Sequence, residues 1–142
     1  MGEPMPQSSG LALNRIGQIG FSVADVDRAE TFYRDVLGLR HLYRYGNLTF
    51  FDCAGVRLLL EGVDDPEKVT PGSPLYFICH DIALAVAELT QRGVKFEGAE
   101  GKPHLIARMP DHDLWMAFFE DPDGHTLALM QEAPKGYVPP QP

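Results

Sequence analysis

The sequence predicts an α+β fold in which two βαβββ modules pair into a curved, cup-like mixed sheet with its helices outside. Three observations carry that expectation. IGFSVADVDRAETFYRDVLGL (Ile19–Leu39) and LYFICHDIALAVAELTQRGV (Leu75–Val94) run the same course of apolar strand, acidic cap, helix and glycine. Short strand signals separated by turn residues follow each helix. A single βαβββ unit cannot bury both faces of its sheet, whereas two together enclose a cupped inner face.

The elements follow in order. Residues 1–14 read as a flexible tail, because MGEPMPQSSG has neither a basic start nor an apolar stretch. The first module spans residues 15–62. Its helix begins at Asp25 and sets Ala29, Phe32, Tyr33, Val36 and Leu37 on one face, and Gly38 ends it. Strands are expected at His41–Tyr45, Leu48–Cys53 and Val56–Glu61, punctuated by Gly46-Asn47 and Ala54-Gly55. Residues 63–73, containing DDPEK and TPGSP, form a linker. The second module spans residues 74–131: its helix begins at Asp81, buries Ile82, Ala85, Val86 and Leu89, and ends at Gly93. Strands are expected at Lys95–Glu97, Leu114–Glu120 and Thr126–Gln131, with a less regular stretch up to Pro110. The turn Asp121-Pro122-Asp123-Gly124 joins the last two strands, with Pro122 pre-setting φ. The Pro-rich end, residues 132–142, reads as a second flexible tail.

Composition narrows the function. Twenty Asp and Glu against twelve Lys and Arg, a net charge of -8, argue against a nucleic-acid partner, which needs clustered cations. No apolar run is long enough to span a bilayer. Cys53 and Cys79 lie in apolar strand-like runs and read as small buried hydrophobes, so a reducing, cytoplasmic compartment fits best. There is no phosphate-binding glycine loop, no GxSxG and no His pair at metal-ligand spacing, so covalent catalysis has no visible nucleophile.

The stretches ADVDRAETFYRDVLGL (Ala24–Leu39) and FFEDPDGHTLALM (Phe118–Met130), set in this repeat, resemble the vicinal oxygen chelate superfamily, which includes glyoxalase I, bleomycin-resistance proteins and extradiol dioxygenases. The resemblance covers Arg15 to Gln131 and is specific for the fold, which hosts many activities. It implies paired modules, usually assembled as homodimers, and in the enzymes a divalent metal held by the first and last strands of each module. Carried across residue by residue, the implied ligand positions fall on Gln18 and Glu61 in the first module. In the second they fall on or beside Pro74, and on Ala128, neither of which offers a donor. An amide and one carboxylate make a poor site for a hard divalent ion. The resemblance also assigns the last-strand carboxylate the proton transfer of the isomerase, which Ala128 cannot perform.

Side-chain alternation then lines the cup. Gln18, Ser22, Arg57, Leu59 and Glu61 face inward from the first module, and Tyr76, Ile78, Met116, Phe118, Ala128 and Met130 from the second. A cleft apolar on one side with a few polar anchors on the other suits a small apolar or aromatic ligand. The expectation is therefore a small-molecule binding protein with no resident cofactor. The alternative is a divalent-metal-dependent lyase, isomerase or dioxygenase in which Gln18 and Glu61 are joined by His104 or His112. Those two histidines, with Glu61, are the candidate catalytic groups. The competing reading of KPHLIARMPDHDLWM, which carries both histidines, is a solvated loop with a Trp packed on a helix.

Overall fold

The computed structural model describes residues 11–98 and 100–140, so most of the expected N-terminal tail lies outside the described residues. Two βαβββ modules follow each other along the chain. The first comprises β1 (Gln18–Val23), α1 (Val26–Thr31), β2 (Arg40–Tyr45), β3 (Leu48–Cys53) and β4 (Val56–Gly62). The second comprises β5 (Leu75–Ile78), α2 (Ile82–Gln91), β6 (His104–Arg108), β7 (Asp113–Glu120) and β8 (Thr126–Ala133). Each forms a four-stranded mixed sheet, ordered β1-β4-β3-β2 in sheet A and β5-β8-β7-β6 in sheet B, with the first strand parallel to the last. The duplication read from the sequence is thus a duplication of topology.

The helices start where their caps dictate. The Asp25 carboxylate accepts from the Arg28 amide at 3.1 Å, and Asp81 accepts from Leu84 at 3.0 Å. After Thr31 the first helix widens into a π turn over Phe32–Val36, closed by the Leu37 amide donating to Phe32 at 3.0 Å. Ala29 and Tyr33 are wholly buried on the expected face. Gly38 and Gly93 end the helices at φ of 79° and 96°, a region that penalises a side chain.

Two sequence expectations are corrected in the second module. Lys95–Glu97 is not a strand: Phe96 is buried and the Glu97 amide reaches Phe118, but Gly98 at φ 93° turns the chain away. The second strand of that module is β6, inside the stretch read as irregular. A register shift between Leu105 and Ala107 sets Ile106 outside the ladder and breaks the alternation that marks a strand. At the other end, β8 continues to Ala133, and Lys135 and Gly136 are tied to Asp113.

One core joins both modules. Phe21, Val23, Phe51, Leu58 and Leu60 of sheet A, Ala117, Phe119, Leu127 and Leu129 of sheet B, and Ala29, Tyr33, Ile82, Val86 and Leu89 of the helices belong to it. The helices therefore lie on the face of each sheet away from the expected cup residues. Since both helical faces share this core, the two cup faces look outward from it within one chain.

Polar contacts lock the junction, and they come from the Asp121-Pro122-Asp123-Gly124 turn. The Gly124 amide closes the turn on Asp121 at 3.0 Å. Asp123 Oδ1 accepts from the Ala24 amide at 2.8 Å and from Arg28 at 3.2 Å. His125 Nε2 lies 2.8 Å from the Ser22 carbonyl, and its ring stacks on Phe21 at 4.7 Å. The Tyr33 hydroxyl donates to Asp121 at 2.7 Å, and burial together with that carboxylate pushes the phenol pKa far up. The turn is a clamp between modules as well as a hairpin.

Candidate functional site

The outward face of sheet A carries Gln18 and Ser22 from β1 and Arg57, Leu59 and Glu61 from β4, as alternation requires. Register then separates residues that share this face. Gln18 pairs with Arg57, whereas Glu61 pairs with Ser22, four positions farther along the ladder. At about 3.3 Å per residue this puts the Gln18 and Glu61 backbones about 13 Å apart. The structure does not bring the two implied metal ligands together.

Their partners point the same way. Gln18 Oε1 accepts from Arg57 Nε at 2.9 Å, so the expected oxygen ligand faces a guanidinium that would repel a divalent cation. The Ser22 hydroxyl accepts the Thr70 amide at 2.8 Å and holds the linker. The Glu61 carboxylate makes no hydrogen bond or ion pair among the described residues. His104 and His112, the proposed replacement donors, belong to the second module, not to the face with Gln18 and Glu61. His104 sits opposite Met116, at the edge of the cup face. His112 lies in the β6–β7 turn, 2.8 Å from Asp111 and 3.8 Å from Glu132. Among the described residues no three His, Cys, Asp or Glu side chains converge as a metal site. Within one chain, Gln18 and Glu61 offer an amide and a carboxylate that lie apart.

Sheet B presents an apolar face in two rows across the strands. One row is Tyr76, Ala128 and Phe118; the next is Ile78, Met130, Met116 and His104. Strands flanking β8 stand about 9.6 Å apart, yet the Tyr76 and Phe118 ring centroids are 6.4 Å apart, edge to face. The rings lean together over Ala128, which is wholly buried although its strand face is otherwise open. A carboxylate there would be desolvated between two rings with no cation nearby, at a cost of several kcal/mol. Tyr76 is 49% exposed and Ile78 75%, so this face has no cover within one chain.

Two residues that alternation in β4 alone did not reach complete sheet A. Phe50 pairs with Leu59 and Tyr43 pairs with Phe50, so both share the Arg57 face. Their rings pack at 4.7 Å, and the Arg57 guanidinium lies 5.7 Å from the Phe50 ring centroid. Extending the alternation through the Cys53–Val56 hairpin register would have found them.

Cys53 and Cys79 are free and half-buried; burial, with Asp52 beside Cys53 and Asp81 beside Cys79, pushes their thiols up. A cleft of about 650 Å³ exists elsewhere, between α2, residues 100–103, Trp115 and Val138–Pro140, and no cup residue lines it.

With this geometry in place, the comparisons with known proteins converge. The family model for the Glyoxalase/Bleomycin resistance protein/Dioxygenase superfamily matches residues 15–129. The chain is 25% identical over 119 residues to the metallothiol transferase FosB of Lysinibacillus sphaericus, covering 82% of each chain. Its fold resembles that of a lactoylglutathione lyase from Agrobacterium tumefaciens, with 23% identity, TM-score 0.64, and 84% and 95% of the two chains covered. It also resembles an antibiotic-binding protein from a Streptomyces species, with 23% identity, TM-score 0.65, and 87% and 98% covered. Matched over most of its length and built from the duplicated βαβββ module, the chain belongs to the glyoxalase/bleomycin resistance protein/dioxygenase superfamily.

Proposed function

We propose that this protein binds a small organic molecule with an apolar or aromatic body in a cup lined by Tyr76, Ile78, Met116, Phe118 and Met130, with Gln18, Arg57 and Leu59 opposite, and holds no resident metal there. The fold is shared by an antibiotic-binding protein and by a metal-named transferase, so it does not choose between binding and chemistry. The residues do. The observation that carries the reading is Ala128, buried under the converging Tyr76 and Phe118 rings at the position where the resemblance would put an acidic ligand.

The two halves of the cup look away from each other within one chain, so a second copy is needed to set sheet A of one against sheet B of the other. The protein is accordingly a homodimer with two equivalent cups. Leu13 and Ile16, just ahead of β1, are 93% and 66% exposed and would be covered in the same assembly. A cytoplasmic setting agrees with two free cysteines. Among the described residues no helix is long and apolar enough to cross a membrane.

Elemental analysis of the purified protein tests the metal side of this reading. Divalent metal is expected well below one per chain, unchanged in Gln18→Ala and Glu61→Ala. Stoichiometric Mn, Fe, Ni or Zn lost in both variants would overturn it. On the ligand side, aromatic probes are expected to raise the melting temperature, and Phe118→Ala to abolish that rise.

A further inference from the structure

We propose that the ligand of the cup is an anion, an aromatic or apolar body bearing a carboxylate, sulfonate or similar oxyanion, and that Arg57 is its anchor; this rests on the binding reading above. The chain has twenty acidic residues against twelve Lys and Arg, so an arginine finds a carboxylate easily. Of the eight arginines, Arg28, Arg34, Arg40, Arg44, Arg92 and Arg108 do so within 4 Å, and the exposed Arg15 ahead of β1 does not among the described residues. Arg57 pairs with none among the described residues, although Asp52 stands opposite it across the β3–β4 ladder. The Asp52 carboxylate is turned to the Gly55 amide at 3.1 Å and to Arg40 at 3.8 Å. Glu61, on the same strand face as Arg57, lies two rows away.

The Arg57 guanidinium is nevertheless fixed in place. Nε donates to Gln18 Oε1 at 2.9 Å, Nη1 reaches the Tyr43 hydroxyl at 3.4 Å, and the plane lies near the Phe50 ring. All three partners are neutral, so its positive charge is positioned and not compensated. Nη2 makes no hydrogen bond among the described residues, which leaves one edge of the planar fork for an acceptor. Phe50 and the 44%-exposed Tyr43 beside it offer aromatic surface to the body of the same ligand. A net charge of -8 repels anions from the rest of the surface, so one fixed cation inside the cup becomes a discriminating feature.

Two dyes of matched body test this. 1-Anilinonaphthalene-8-sulfonate carries a sulfonate, and N-phenyl-1-naphthylamine is the same ring system without it. Fluorescence titration is expected to show the sulfonate binding about tenfold more tightly, the scale of one charge-assisted hydrogen bond. Arg57→Gln should abolish the preference, so that the variant binds the two dyes with equal affinity, and Arg57→Lys should retain part of it. Phe118→Ala should weaken both dyes. Equal affinities in the parent protein, or a sulfonate preference that survives Arg57→Gln, would overturn the anionic-ligand proposal while Phe118-dependent binding keeps the cup reading intact. Binding of neither dye, or binding indifferent to Phe118, would overturn both.

Discussion

The tight turn between β3 and β4 asks Ala54 to adopt φ 53°, with Gly55 following at φ 97°. Both central positions in the left-handed region make this the hairpin turn whose twist suits the strands, and Asn-Gly is its preferred pair. An alanine there carries a steric cost of about 1 kcal/mol, and its side chain is exposed, so nothing compensates. Ala54→Asn is expected to stabilise the protein by about 0.5–1 kcal/mol, and Ala54→Val to destabilise it by about as much. Thermal unfolding would show melting points moving in opposite directions; a shared direction would mean that the turn is not what limits this position. The same scale explains what the sequence could and could not say of the cup. Alternation identifies the face, because its period is two, and Gln18 and Glu61 lie on the same side of the β1–β4 ladder. It does not identify the row, which depends on strand register, and the rows of these two residues differ by four positions. Ser22 likewise faces as expected, yet a linker residue far along the chain, Thr70, takes its hydroxyl.

Among the elements, the module helices were legible because caps, apolar spacing and terminal glycines agree with one another. Strand β6 was not, because its bulge at Ile106 spoils the period by which a strand is read. The segment after β8 was obscured for another reason: what orders it is a buried carboxylate distant in sequence. Asp113, 1% exposed, accepts the Gly136 amide at 2.9 Å and faces Lys135 at 3.0 Å and Arg108 at 3.5 Å. The Gly136 hydrogen bond, then Lys135, hold its carboxyl below the usual range against the opposing effect of burial. A carboxylate depressed in the folded state contributes stability above its unfolded pKa, and that contribution is lost as pH falls through the folded value. Acidification should therefore release the strap that carries Tyr137, whose ring meets Trp115 edge-on at 6.4 Å. Trp115 is the only tryptophan, so its emission reports this directly. A red shift is expected below the ordinary carboxylate range, and in Lys135→Ala the midpoint should move to higher pH. An unmoved midpoint would detach the strap from Asp113.

For the molecule as a whole, the shared core and the exposed cup faces make opposite demands that one chain cannot meet. Each sheet packs one face against the helices, and the other face of sheet B holds exposed Tyr76 and Ile78 beside half-buried Met116, Phe118 and Met130. Large apolar residues such as Tyr76 and Ile78 standing open to water side by side mark a surface that something covers. In the proposed homodimer a second copy of the chain covers this face and builds the cup, by placing the Arg57 face of sheet A beside the apolar face of sheet B. Ile78 isolates that demand. At 75% exposure in a single chain it contributes little to folding, so a charge there should leave the secondary structure and unimolecular stability within about 0.5 kcal/mol of the parent. In the dimer the same charge would be buried against an apolar wall, with a desolvation penalty of several kcal/mol. Ile78→Glu is therefore expected to remain folded by circular dichroism and to sediment as a monomer at concentrations where the parent is dimeric. Ligand affinity should fall with it, since half of each cup leaves with the partner. A parent protein that sediments as a monomer, or an Ile78→Glu variant that stays dimeric, would show that the cup faces are not the interface and that the ligand is held on one open sheet.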